Sequence, residues 1–85
     1  MNLEEKAKEI NRSIAEYIKI ARIEKGLSRA KLAEELKVPV YKIANWENPD
    51  HSFTIVDLCK INQILDIEEF LIEILSNIKN SKKGE

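Results

Sequence analysis

Glycine, proline, cysteine and histidine are nearly missing from this sequence: two glycines, two prolines, one cysteine and one histidine in 85 residues. So few turn formers exclude an architecture of short strands joined by tight turns. A lone cysteine, Cys59, excludes a disulfide within the chain, and nothing here implies an oxidising compartment. No apolar run approaches the roughly 20 residues needed to span a membrane. The opening segment MNLEEKAKEI is charged and has no apolar centre, unlike a secretory signal. A strong charge of one sign is also lacking, since the net charge is −1. What remains is a small cytoplasmic all-α domain. A chain this short buries only about 60–65% of its unfolded surface, which leaves room for one helical core but not for an enclosed catalytic cavity.

What is present is helical periodicity. Residues 3–25 contain no breaker, and Leu3, Ala7, Ile10, Ile14, Tyr17 and Ala21 alternate steps of four and three along one face, widened by Ile18. One long first helix is expected there. Its first third has two outcomes: a frayed lead-in, or a true extension presenting Leu3, Ala7 and Ile10 to a partner surface. Three apolar residues in register favour the extension. Gly26 suits the left-handed residue that ends a helix, and Ser28 suits an N-cap. Thr54 opens a capping box with Asp57, and a fourth helix with Ile55, Leu58, Ile61 and Leu65 on one face follows. Asp66 is expected to cap a fifth, from about Ile67 to Ile78, carrying the stripe Phe70, Leu71, Ile74, Leu75, Ile78. The fourth and fifth helices are close enough in sequence to merge into one bent helix. Residues 79–85 read as a disordered tail.

The stretch RAKLAEELKVPVYKIANWEN, Arg29 to Asn48, organises the rest. Leu32, Ala33 and Leu36 share one helical face, and Ile43 and Trp46 repeat the spacing on a second short helix. Between them Lys37-Val38-Pro39 forms a corner, because proline disfavours α geometry in the residue before it and suits the start of a new helix. Two short helices with a corner of this length match a helix-turn-helix. Together with AR-x-EKGLS before it and I-x-x-WEN closing it, the stretch resembles the lambda repressor/Cro/Xre family of DNA-binding regulators over residues 13–71. The resemblance implies a five-helix lambda-repressor-like DNA-binding domain over residues 13–78, with the motif at 29–48 and a helical extension at 1–12.

The resemblance also implies a site. On the second helix of the motif, Pro39, Val40, Tyr41, Lys42 and Asn45 occupy the positions the family turns toward bases and nearby phosphates. Val40 suits a thymine methyl and Asn45 suits adenine. Arg29 stands where the family usually has a phosphate-contacting glutamine, and Asn48 where the backbone often meets phosphate. Arg22 and Glu47 match an arginine and a glutamate that form a partly buried salt bridge in the family. Three departures weaken the expected affinity: Lys37 replaces the corner glycine, Pro39 replaces a Ser/Thr cap, and Pro49-Asp50-His51 replaces glycine and basic residues.

Catalysis has no support in the sequence. His51 reads as a solvated loop residue and Cys59 as a small packed hydrophobe. Metal-ligand spacing and a glycine-rich phosphate loop are both missing, so neither metal nor cofactor is expected. Glu34-Glu35 and Glu68-Glu69 read as solvated helix faces. Charge is weakly polarised: residues 1–47 hold ten Lys/Arg against eight Asp/Glu, and residues 48–85 hold four against seven. The expected function is sequence-specific binding of double-stranded DNA by a small homodimeric transcriptional regulator, a repressor. Two alternatives stand beside it: an antitoxin whose helix-turn-helix autoregulates while the Leu3–Ile14 face or the fifth-helix stripe holds a toxin, and a protein-interaction module with weakened DNA binding.

Overall fold

A computed structural model of the chain describes the backbone of residues 2–83 and the side chains of residues 2–77. Five helices follow in order: α1 (Leu3–Glu24), α2 (Arg29–Leu36), α3 (Val40–Trp46), α4 (Ile55–Asn62) and α5 (Glu68–Lys83). The fold is all-α, with no strand among the described residues. No described helix is long and apolar enough to cross a membrane.

Each helix begins and ends for a local reason. The Asn2 side chain caps α1 by accepting the Glu5 backbone N–H at 2.9 Å, and Glu4 and Glu5 lie in the first turn, where the helix dipole favours acid. At its other end Gly26 adopts φ 72°, the Leu27 N–H reaches the Arg22 carbonyl and the Gly26 N–H reaches the Ile23 carbonyl. That is a Schellman pattern, with glycine at its left-handed residue. Ser28 caps α2 through the Lys31 N–H. The same C-terminal pattern then closes α2, from Val38 N–H to Ala33 O and from Lys37 N–H to Glu34 O. Here the left-handed residue is Lys37, at φ 57° and ψ 45°. Pro39, with φ −63° and no side-chain cap, leads directly into α3. Thr54 and Asp57 form the reciprocal capping box of α4.

The core gathers Ile14 and Ile18 of α1, Leu32, Ala33 and Leu36 of α2, Ile43 and Trp46 of α3, Ile61 of α4, and Leu65 and Ile67 beyond it. The side of α1 facing α5 is closed by Tyr17 and Phe70, whose rings stack with centroids 4.2 Å apart, while the Tyr17 hydroxyl donates to the Asp66 carbonyl at 3.0 Å. Farther out, Lys6, Glu9, Ile10 and Ser13 line a crevice with Ile74 and Asn77. Contacts thus run from Tyr17 to Lys6 as they run from Phe70 to Asn77, so α5 lies antiparallel along α1.

Several expectations need correction. The extension is helical, but Leu3 and Ala7 are exposed, and of the three apolar residues only Ile10 packs against the core. The fourth helix stops at Asn62, not Leu65, and it stays separate from α5, because the Asn62 side chain turns back to accept the Ile67 N–H at 3.1 Å. Asp66 does not start α5: the first α-type bond runs from the Leu71 N–H to the Ile67 carbonyl, and the Asp66 carbonyl serves Tyr17 instead. Ile55 faces solvent at 75% exposure, since the capping box turns Asp57 inward and rotates the start of α4 outward. Cys59, one turn after Ile55, is exposed with it rather than packed. The expected tail is helical as far as Lys83, for no breaker intervenes in IKNSKK; residues 84 and 85 lie outside the described residues, as does the side chain of Ile78.

Candidate nucleic-acid interface

α3 is divided sharply between two environments. Ile43 and Trp46 are fully buried, and Val40, Tyr41, Ala44 and Asn45 form the outward face. At 100° per residue these four span little more than a third of the helix circumference, so they make one strip. Ala44 lies outside the set the resemblance implies; it joins the strip because it stands one turn after Val40, in an i, i+4 relation. Pro39 is exposed at the start of this strip. Asn45 makes no side-chain hydrogen bond among the described residues, whereas the Asn48 side chain is already engaged, accepting the Asp50 backbone N–H at 2.8 Å in the loop after α3.

Lys42 departs from the expected set. At 200° from Val40 it sits beside Trp46, half-buried, with Nζ 4.0 Å from Asp57 Oδ1. It therefore points toward α4 rather than outward. Asp57 collects several groups: its Oδ2 accepts the Thr54 N–H at 3.1 Å and stands 3.2 Å from His51 Nε2. Burial alone would push the Asp57 carboxyl up. The hydrogen bonds from the Thr54 backbone and from His51, with the Trp46 indole and the Thr54 hydroxyl also favouring the charged form, outweigh it, and the carboxyl ends below its usual value. The Trp46 indole N–H favours the charged carboxylate by facing it, yet its geometry falls short of a hydrogen bond, and Nε1 is buried without a partner. His51 is accordingly a half-buried partner of Asp57, edge-on to the Phe53 ring at 4.6 Å, and not the solvated residue expected from its polar loop.

A second charged cluster lies where α1, α2 and α3 converge. Arg22 grips Glu47 with two nitrogens, Nε to Oε2 at 2.6 Å and Nη2 to Oε1 at 3.2 Å, and its Nη1 donates to the Leu27 carbonyl at 2.8 Å. The side chains of Arg22 and Glu47 are 11% and 1% exposed. Arg29 joins them through Nε, 3.2 Å from Glu47 Oε1, while remaining 47% exposed. The family resemblance pairs Arg22 with Glu47 and turns Arg29 toward phosphate; no local pattern links Arg29 to a glutamate 18 positions away.

The described residues include no group of three or more His, Cys, Asp or Glu placed to hold a metal ion. Comparison with protein-family models, with curated proteins and with solved structures finds no match to this chain.

Proposed function

We propose that this chain is a small helix-turn-helix regulator that binds double-stranded DNA, as its resemblance to the lambda repressor/Cro/Xre family implies. The observation that carries the reading is the division of α3. A helix of seven residues keeps its Trp and Ile in the core and offers Val40, Tyr41, Ala44 and Asn45 outward, with Arg29 at the start of the preceding helix. An exposed valine beside an exposed tyrosine is poorly spent on water but well matched to thymine methyls and base edges in a major groove. Asn45 supplies the bidentate donor and acceptor that adenine requires. The protein acts in the cytoplasm as a homodimer, so that two α3 helices meet half-sites about one turn of DNA apart. The test is selection from random-sequence duplexes followed by binding titrations at several salt concentrations. Recovery of a preferred, two-fold sequence is expected. A pool that stays random and a titration without salt dependence would overturn the reading.

A second reading, docking of a protein partner such as a toxin, draws on a different surface. Ile20 and Ile23 of α1 are exposed, and with Ala15, Glu47 and Pro49 they line an open groove that Arg12, Glu16 and Lys19 also border.

A further inference from the structure

We propose that Glu47 is a positioning residue that aims Arg29 at a backbone phosphate; this rests on the DNA-binding reading above. Three observations converge on it. Arg22 alone meets both oxygens of the Glu47 carboxylate, so that pair is neutral without help. Arg29 is then a surplus cation, and the three-residue cluster carries one net positive charge. Its contact with Glu47 uses only Nε, and the two terminal nitrogens make no hydrogen bond among the described residues. A guanidinium held at Nε presents its terminal nitrogens as a fork of fixed direction, the geometry that suits two phosphate oxygens.

The location of Arg29 explains why it needs such a holder. It is the first residue of α2, whose first turn contains no acid. A cation there faces the positive end of the helix dipole, an unfavourable placement that the Glu47 carboxylate offsets. The same dipole and the same guanidinium both favour an arriving phosphate. Glu47 itself is too buried to meet DNA, so its effect on binding must pass through Arg29.

This mechanism predicts a sign opposite to bulk electrostatics. Glu47→Gln removes a negative charge close to the interface, and charge alone would tighten binding. Loss of positioning weakens it instead. The experiment is a double-mutant cycle with the full chain and a mixed-sequence DNA duplex, read by fluorescence anisotropy across a salt series. Circular dichroism at the assay temperature shows that each variant is folded. Arg29→Gln should lower the salt slope by about one. Glu47→Gln should weaken binding several-fold in the wild-type background and have little effect in the Arg29→Gln background. A merely structural role would weaken both backgrounds alike.

One measurement needs no variant: in the free wild-type protein, nitrogen-15 NMR should show the Arg29 Nε–H exchanging slowly with water. Exchange at the rate of a free arginine overturns the positioning role even if no Glu47 variant folds. A wild type that ignores the duplex overturns the DNA reading itself. A wild type that binds, beside a Glu47→Gln variant that binds equally or more tightly, overturns positioning alone.

Discussion

Lys37 occupies a conformation that its side chain makes costly. At φ 57° a Cβ crowds the backbone, and an ordinary residue held in the left-handed region gives up about 1 kcal/mol relative to glycine. The side chain is exposed and its position closes α2 through two backbone bonds, so glycine fits without loss of contact. Lys37→Gly should therefore raise stability by about 0.5–1 kcal/mol, or a few degrees in Tm, in a calorimetric melt. No change, or a loss, would show that the corner is not strained. Asp57 gives a second prediction. Its folded pKa is depressed, so its contribution to stability is present above the unfolded carboxylate pKa and is lost as pH falls through the lower folded value. Urea midpoints of wild type and Asp57→Asn should differ clearly at neutral pH and converge in acid. A constant gap across that range would mean that the charge on Asp57 contributes nothing.

Arg22 and Glu47 tie α3 to α1. Removing one partner of a buried pair strands the other charge, at roughly 3–5 kcal/mol, against about 0–1 kcal/mol for an exposed pair. Arg29 softens one of the two changes. Arg22→Met leaves Glu47 with a partner, whereas Glu47→Gln leaves the poorly exposed Arg22 without its carboxylate. Both should lower Tm well beyond Glu16→Gln, an exposed control on α1, with Glu47→Gln the larger. Equal small shifts in all three melts would show that the cluster does not anchor α3. Within α3 the two faces should separate in the same way. Trp46→Ala should cost about 3–5 kcal/mol through the cavity it leaves. Tyr41→Ala and Asn45→Ala should leave the melt nearly unchanged and cost roughly 1–3 kcal/mol in binding to a selected operator. If both outward variants bind that operator like wild type, the outward strip is not the reading surface.

For the whole molecule the question is what covers the apolar residues left outside. α5 spends Phe70, Leu71 and Ile74 on its own core and leaves Ile72 and Leu75 exposed. The distal apolar stripe of α5, Ile74 and Ile78, is where the sequence pattern would put contact with a second subunit, but Ile74 packs beside Ile10 in the single chain and the Ile78 side chain lies outside the described residues, so a dimer is proposed to use Ile72 and Leu75 instead. Ile72 and Leu75 are three apart and share a side of the helix. Sedimentation should give a dimer for wild type and a folded monomer for the Ile72→Asp/Leu75→Asp variant. A wild-type monomer at micromolar concentrations well above those of the binding assay would end the dimer proposal.

Sequence alone determined what depends on neighbours within a turn or two. The breaker-free run of α1, the caps at Ser28 and Thr54, the left-handed Gly26, the corner at Lys37-Val38-Pro39 and the buried face of α3 all follow from spacings of one to four residues, where side chains and backbone groups meet whatever the rest of the chain does. The Arg22–Glu47 pairing came from resemblance to a family motif, not from local spacing. Tertiary packing decided the rest. Leu3, Ala7 and Ile10 are equivalent in the sequence pattern, but only Ile10 lies within reach of the core. Ile55 continues the apolar face of α4 in sequence and yet meets water, because the inward side of that first turn is taken by the capping carboxylate of Asp57, which faces Lys42 of α3. Lys42 turns to Asp57, His51 follows it, and Arg29 is caught at Nε by a glutamate 18 residues away. Those partners come from helices and loops whose relative placement is set by burial of the shared core, which helical periodicity does not encode.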